Sequence, residues 1–348
     1  MNNLYKIIIL LFLLLSSCIS SNKKTTPLNK SKHFNLIKKI NVTESDSTFI
    51  GTVSAVDVRL NPLRFYIADR EMHRVAVVTE HVAIADGRVT VNQARNRGID
   101  VFEDNGEYIE TYHLPEGHWY GGVRDFIATQ DGGYILPLSG GFNPTETRSV
   151  KASPEESTVA RLNSEFKLVD TFGEFPELYQ NGDYIARQRT VDVNSDSLAA
   201  VGYSLTPDVQ IYDLKGDPNK KAKDVSLSHP NFKAPREEIS WSMARNSPDE
   251  AREALANVST VEHTYLLDNG IVIQNFHNPT LDYYQEQFDE SDTQHYAIVG
   301  HIESEEQENV ILPGRILTSD EEDRVYVELD PTPDQRKIGV YEVVGWDD

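Results

Sequence analysis

A β unit that returns at long intervals constrains this chain more than any other feature. Thr190–Val193, the turn Asn194-Ser-Asp196 and Ser197–Tyr203 run into Val209–Leu214. Glu262–Leu267, Asp268-Asn-Gly270 and Ile271–Phe276 repeat the pattern, and Arg315–Thr318, an acidic turn and Arg324–Leu329 repeat it again before Lys337–Val344. Earlier, Ile99–Glu103 meets Glu107–Tyr112 across Asp104-Asn-Gly106, a strong hairpin signal. Units start near Val53, Val123, Thr190, Val261 and Arg315. Strand signals this closely spaced indicate an all-β sandwich, barrel or propeller. A period of roughly 55 to 70 residues is long for sandwich hairpins and suits propeller blades with loop insertions. A pair of β-sandwiches would give similar strands without that period.

Two stretches carry a family likeness. Arg64-Phe-Tyr-Ile-Ala-Asp-Arg70 with Arg74–Val78, and Ile99–Ile109 with its Val-Phe-Glu-Asp-Asn-Gly core, resemble the blades of NHL-type and TolB-like six-bladed β-propellers, a build common among Bacteroidota lipoproteins. The likeness implies an all-β propeller over 34–348 with six blades, five of which are readable. It implies too that the sixth is split between the chain ends, Phe34–Val42 pairing beside the C-terminal strands. Such closure removes exposed sheet edges. These motifs are structural and imply no activity.

The N-terminus predicts export. Ile7–Leu15 is apolar throughout and follows a short segment whose charged side chain is Lys6. It is too short to span a bilayer, which takes roughly 20 residues, and has the length of a secretory signal over 1–17. Leu15-Ser16-Ser17-Cys18 has the form of a lipobox, and Cys18 is the chain's single cysteine. An unpaired cysteine at this place fits lipidation better than a disulfide. Residues 18–33, small, polar and basic, are expected to form a flexible tether from the bilayer. Bacteroidota-type lipoproteins bound for the cell surface carry acidic residues after the cysteine; Lys23 and Lys24 depart from that pattern, so the expected placement is a lipid-anchored envelope protein facing the periplasm.

The chain has 33 Lys and Arg against 55 Asp and Glu, a net charge of −22. Phosphate binding needs clustered cations, so nucleic acid is excluded as a main partner. With Cys18 committed to lipid, no cysteine remains for a zinc site.

No nucleophile elbow, P-loop, dinucleotide fingerprint, H-E-x-x-H or calcium loop occurs, so no catalytic residue, metal ligand or cofactor is assigned. In a propeller, ligands meet the face made by loops that enter the innermost strand and by loops between the second and third strands. Those loops carry Arg70, His73, His118, Trp119, Tyr120, Arg124, Arg187, Arg189, Tyr203, Trp241, His277 and Arg315. Arginines and aromatics converging in an acidic protein suit an anionic or sugar-like ligand. The structural alternative is that they hold blades together by pairing with acidic neighbours such as Asp57, Asp69 and Asp192. Ser247–Ala256 reads as a short helix: Ser247 as N-cap, Pro248 at the first position and Glu250 closing a capping box, either a solvated surface helix or a lid.

The expected function is a non-enzymatic binding or scaffold module for a protein, peptide or glycan partner. The alternative is a metal-dependent lactonase- or lyase-like propeller enzyme, for which the sequence assembles no ligand set.

Overall fold

The computed structural model describes residues 25–41, 53–60, 63–69, 82–85, 88–93, 98–103, 107–113, 126–138, 152, 156–217, 220–285, 293–330 and 336–346. Among the described residues, twenty-three strands fall into six sheets. In sequence order the first strands of these sheets are β3 (Val53–Leu60), β5 (Val82–Ala85), β9 (Ile127–Ala128), β13 (Arg189–Val193), β17 (Thr260–Leu266) and β21 (Ile316–Ser319). Each packs beside the next from β3 to β17, and β21 lies beside β3. Tyr265 of β17 donates to the Ile316 carbonyl of β21 at 3.0 Å, joining the remaining pair. The arrangement is propeller-like.

The core is divided into slabs between consecutive sheets. Alternation along each strand sends one set of side chains to the preceding sheet and the other to the following sheet. On β14 (Leu198–Tyr203), Ala199, Val201 and Tyr203 pack towards Val159 and Phe172 of the preceding sheet. Ala200 packs the other way, towards Val261, Phe276 and Ile298. A further slab joins Ile273, Ala297 and Val299 to Val325, Val327 and Tyr341.

One hairpin turn recurs. Within Thr129–Gly132, Asn163–Phe166, Asn194–Ser197 and Leu267–Gly270 the fourth residue donates back to the first carbonyl, and in the same four turns the first residue's N–H closes onto the carbonyl one past the turn. The fourth residue has positive φ in each: Gly132 (77°), Phe166 (57°), Ser197 (66°) and Gly270 (79°). This is a type I turn with a left-handed closing residue. Asn163 and Asn194 stabilise theirs by accepting backbone N–H groups from Lys167 and Leu198, both at 2.9 Å. Turns of neighbouring sheets are also tied together: Asp268 accepts from Ser195 N, and Asp323 accepts from Asp268 N, both at 2.7 Å.

The chain ends meet as expected. Phe34–Asn41 (β2) pairs antiparallel with Lys337–Val343 (β23), from Phe34 opposite Val343 to Asn41 opposite Lys337. The sheet so completed is the unit that starts near Arg315, not an additional one. The sixth sheet was hidden elsewhere: the stretch read as one unit from Val53 to Tyr112 is two sheets, β3–β4 (β4, Leu63–Asp69) and β5–β8 (82–113). The segment expected as tether is partly ordered against the body. Thr25–Pro27 (β1) adds a parallel fifth strand beside β20 (Gln307–Leu312), Leu28 is buried, and His33 lies 3.8 Å from the Trp346 ring.

The predicted helix is present as Pro248–Ala256, but its capping box is not. Ser247 makes no side-chain cap bond, because it also ends a preceding helix, Trp241–Asn246, and its φ of −141° is set by that junction. The capping serine is Ser240, which accepts from Met243 N at 3.0 Å. Lys221–Val225 is the edge strand β16.

Candidate functional site

In a four-stranded antiparallel sheet the first strand starts, the second ends, the third starts and the fourth ends at one end of the molecule. The site lies at this strand-entry end. The four α-helices among the described residues, Glu177–Asn181, Trp241–Asn246, Pro248–Ala256 and Leu281–Gln285, all lie on connections there. The opposite end carries the tight turns described above. Pro248–Ala256 packs against Leu281–Gln285.

Beneath these helices, three side chains of one sheet converge. Glu262 belongs to β17, His277 to β18 (Ile271–Asn278) and His295 to β19 (Gln294–His301). His277 and His295 stand directly opposite each other in register. Glu262 is skipped by the pairing, since Val261 opposes Phe276 and His263 opposes Asn275. A bulge of this kind re-aims a side chain. It brings the Glu262 carboxylate between the two imidazoles: Oε1 lies 3.1 Å from His277 Nδ1 and Oε2 lies 3.2 Å from His295 Nδ1. Asn275 Nδ2 donates to Oε2 at 2.8 Å. All four residues are buried.

Burial by itself would raise the Glu262 carboxyl, but the His277 and His295 charges outweigh it and hold the group well below the usual carboxylate range. The two contacts differ in kind. His295 Nδ1 meets hydrogen-bond geometry towards Oε2. His277 Nδ1 is as close to Oε1 but is less well aligned with it. Tyr283, on the helix above, lies 5.4 Å from the His277 ring.

Of the residues expected on this face, Arg70, His73, His118, Trp119, Tyr120 and Arg124 lie outside the described residues. Arg189, Tyr203, His277 and Arg315 are all at the strand-entry end, as expected from loop position. They are turned inwards: the first three are buried and the Arg315 side chain is 18% exposed. Tyr203 stands opposite Arg189 in register and donates to the Glu174 carbonyl at 2.6 Å, with Thr158 Oγ1 at 2.9 Å, so it joins two sheets. Arg189 sits 4.4 Å from the Phe175 ring, and burial lowers its guanidinium to about 10. Arg315 and Arg336 flank buried Glu328 at 3.6 and 3.5 Å. Arg187 pairs with buried Asp183 at 3.5 Å. These contacts fit the structural alternative, in which they hold the sheets together. Trp241 is exposed.

The sequence singled out His277 for a ligand face but neither Glu262 nor His295. Glu262 appears only as a strand residue in an ordinary alternation, and the bulge that re-aims it leaves no residue signature. His295 opens a strand that was not read at all.

No family model and no curated protein matches the sequence. Solved structures do resemble the fold. A member of the DUF4221 family from Bacteroides vulgatus superposes with a TM-score of 0.60 at 12% identity, covering 91% of this chain and 100% of that one. A candidate exported protein from Bacteroides fragilis superposes at 0.55 and 10% identity, covering 92% and 98%. At such identities the likeness is one of fold. No helix among the described residues is long and apolar enough to cross a membrane.

Proposed function

We propose that this chain is a lipid-anchored envelope protein whose strand-entry face is a binding module for a protein, peptide or glycan. In this reading Cys18 is acylated, the body faces the periplasm, and the six sheets are the blades of a propeller of the NHL and TolB-like type.

One observation carries the reading. Every described α-helix is placed at one end of the body, where Trp241 is exposed, while the other end is trimmed to short turns. Insertions on a rigid scaffold are where recognition is usually built. The inward Arg189, Tyr203 and Arg315 supply stiffness rather than contact.

The test is photocrosslinking in the native membrane, with a photoreactive residue at Trp241 or, as control, at exposed Lys215 on the turn end. A discrete adduct from position 241 and none from 215 is expected. Adducts from 215 alone, or equal yields from both, would overturn the reading.

A second reading, a metal-dependent hydrolase or lyase, is favoured by the convergence of Glu262, His277 and His295. It requires that a bound ion be open to substrate, and turnover lost in a Glu262→Gln variant would support it.

A further inference from the structure

We propose that Glu262, His277 and His295 bind one divalent ion of the zinc class. The site is independent of the binding face proposed above and holds whether or not that face takes a partner.

The spacing fits. A tetrahedral ion with ligands at about 2.0–2.1 Å holds its ligand atoms roughly 3.3 Å apart. One ligand atom from each of the three residues lies within 4.8 Å of the other two, close enough for a small adjustment to bring them onto one ion, with Oε1 beside His277 Nδ1 at 3.1 Å and Oε2 beside His295 Nδ1 at 3.2 Å. The donor types fit as well. Two imidazoles and one carboxylate suit zinc and neighbouring first-row ions, whereas calcium and magnesium take all-oxygen shells.

The geometry of His277 leaves room for an ion. His277 Nδ1 stands 3.1 Å from Glu262 Oε1 but is poorly aligned for a hydrogen bond to it, and no other polar partner reaches either nitrogen of this residue, which is 2% exposed. A buried polar group left unpaired is costly. Asn275 supplies the outer support such sites use, holding the carboxylate through Oε2.

The experiment uses the full chain in detergent, without a polyhistidine tag, stripped with chelator and titrated by calorimetry. One Zn²⁺ per chain is expected, with no response to Ca²⁺ or Mg²⁺. His277→Ala and Glu262→Gln, checked for native near-ultraviolet dichroism, are each expected to weaken Zn²⁺ at least tenfold. Co²⁺ is expected to give visible d–d bands in the wild type that are lost in His277→Ala. Because the variants could misfold, anomalous scattering at the zinc edge from wild-type crystals supplies the second measurement, with a peak between the two Nδ1 atoms. No stoichiometric Zn²⁺ binding, binding unchanged in both folded variants, or an anomalous peak elsewhere would overturn the proposal.

Discussion

Gly202 leaves room for Thr264: a Cβ added at position 202 would stand 2.1 Å from Thr264 Oγ1. Thr264 is fixed there, since its hydroxyl bonds Thr190 Oγ1 at 2.6 Å and accepts from Gln274 Nε2 at 3.3 Å. The contact lies between β14, the second strand of its sheet, and β17, the first strand of the next, so the glycine sets how closely the two sheets approach. Gly202→Ala is expected to lower stability by about 1–3 kcal/mol, read as a shift of the urea midpoint. An unchanged midpoint would show that the sheets can part freely.

Ser197 closes its turn at a φ of 66°, in the left-handed region. Two equivalent turns use glycine, Gly132 and Gly270. Relief of the left-handed penalty outweighs the added chain entropy, so Ser197→Gly is expected to stabilise by about 0.5–1 kcal/mol. A higher melting temperature with unchanged dichroism confirms it, and a lower one contradicts it.

His229 is buried against Phe276 and Tyr296, and burial pulls its imidazole down to about 4. The unfolded chain binds the proton near pH 6.5, the folded one only near 4. Stability attributable to this residue is therefore full above pH 6.5 and falls as the pH drops from 6.5 to 4. In His229→Phe the urea midpoint should lose part of its decline across that window. An identical pH profile would place the acid sensitivity elsewhere.

Strand β2 covers the edge of β23 along its whole length. Without it, an unpaired edge would be open to other chains. Removal of residues 25–41 is expected to convert a monodisperse species into aggregate on size-exclusion chromatography; a monodisperse product of native dichroism would show that closure is dispensable.

Much of the fold was legible because its determinants are local. The Asn194 and Asp268-Asn-Gly270 turns, the Val-Ile-Tyr alternation beside them and the pairing of Phe34–Asn41 with the C-terminal strand all follow from residue type and spacing. Two features misled. The first two sheets share one run of β-rich sequence, with nothing local to show that β4 and β5 part company. Ser247 has a capping residue's chemistry, but the preceding helix claims its backbone. The site was half legible: position in a loop found His277, whereas Glu262 and His295 reach it through a bulge and a pairing between strands that only tertiary structure displays.

Membrane tethering through Cys18 is the claim on which the functional account depends. Intact mass spectrometry of the protein extracted from membranes tests it, with Cys18→Ala alongside. The account predicts a mature chain that starts at Cys18 and carries acyl chains, and a Cys18→Ala protein without them. A wild-type chain of unmodified mass, recovered in the fraction not bound to membrane, would contradict it.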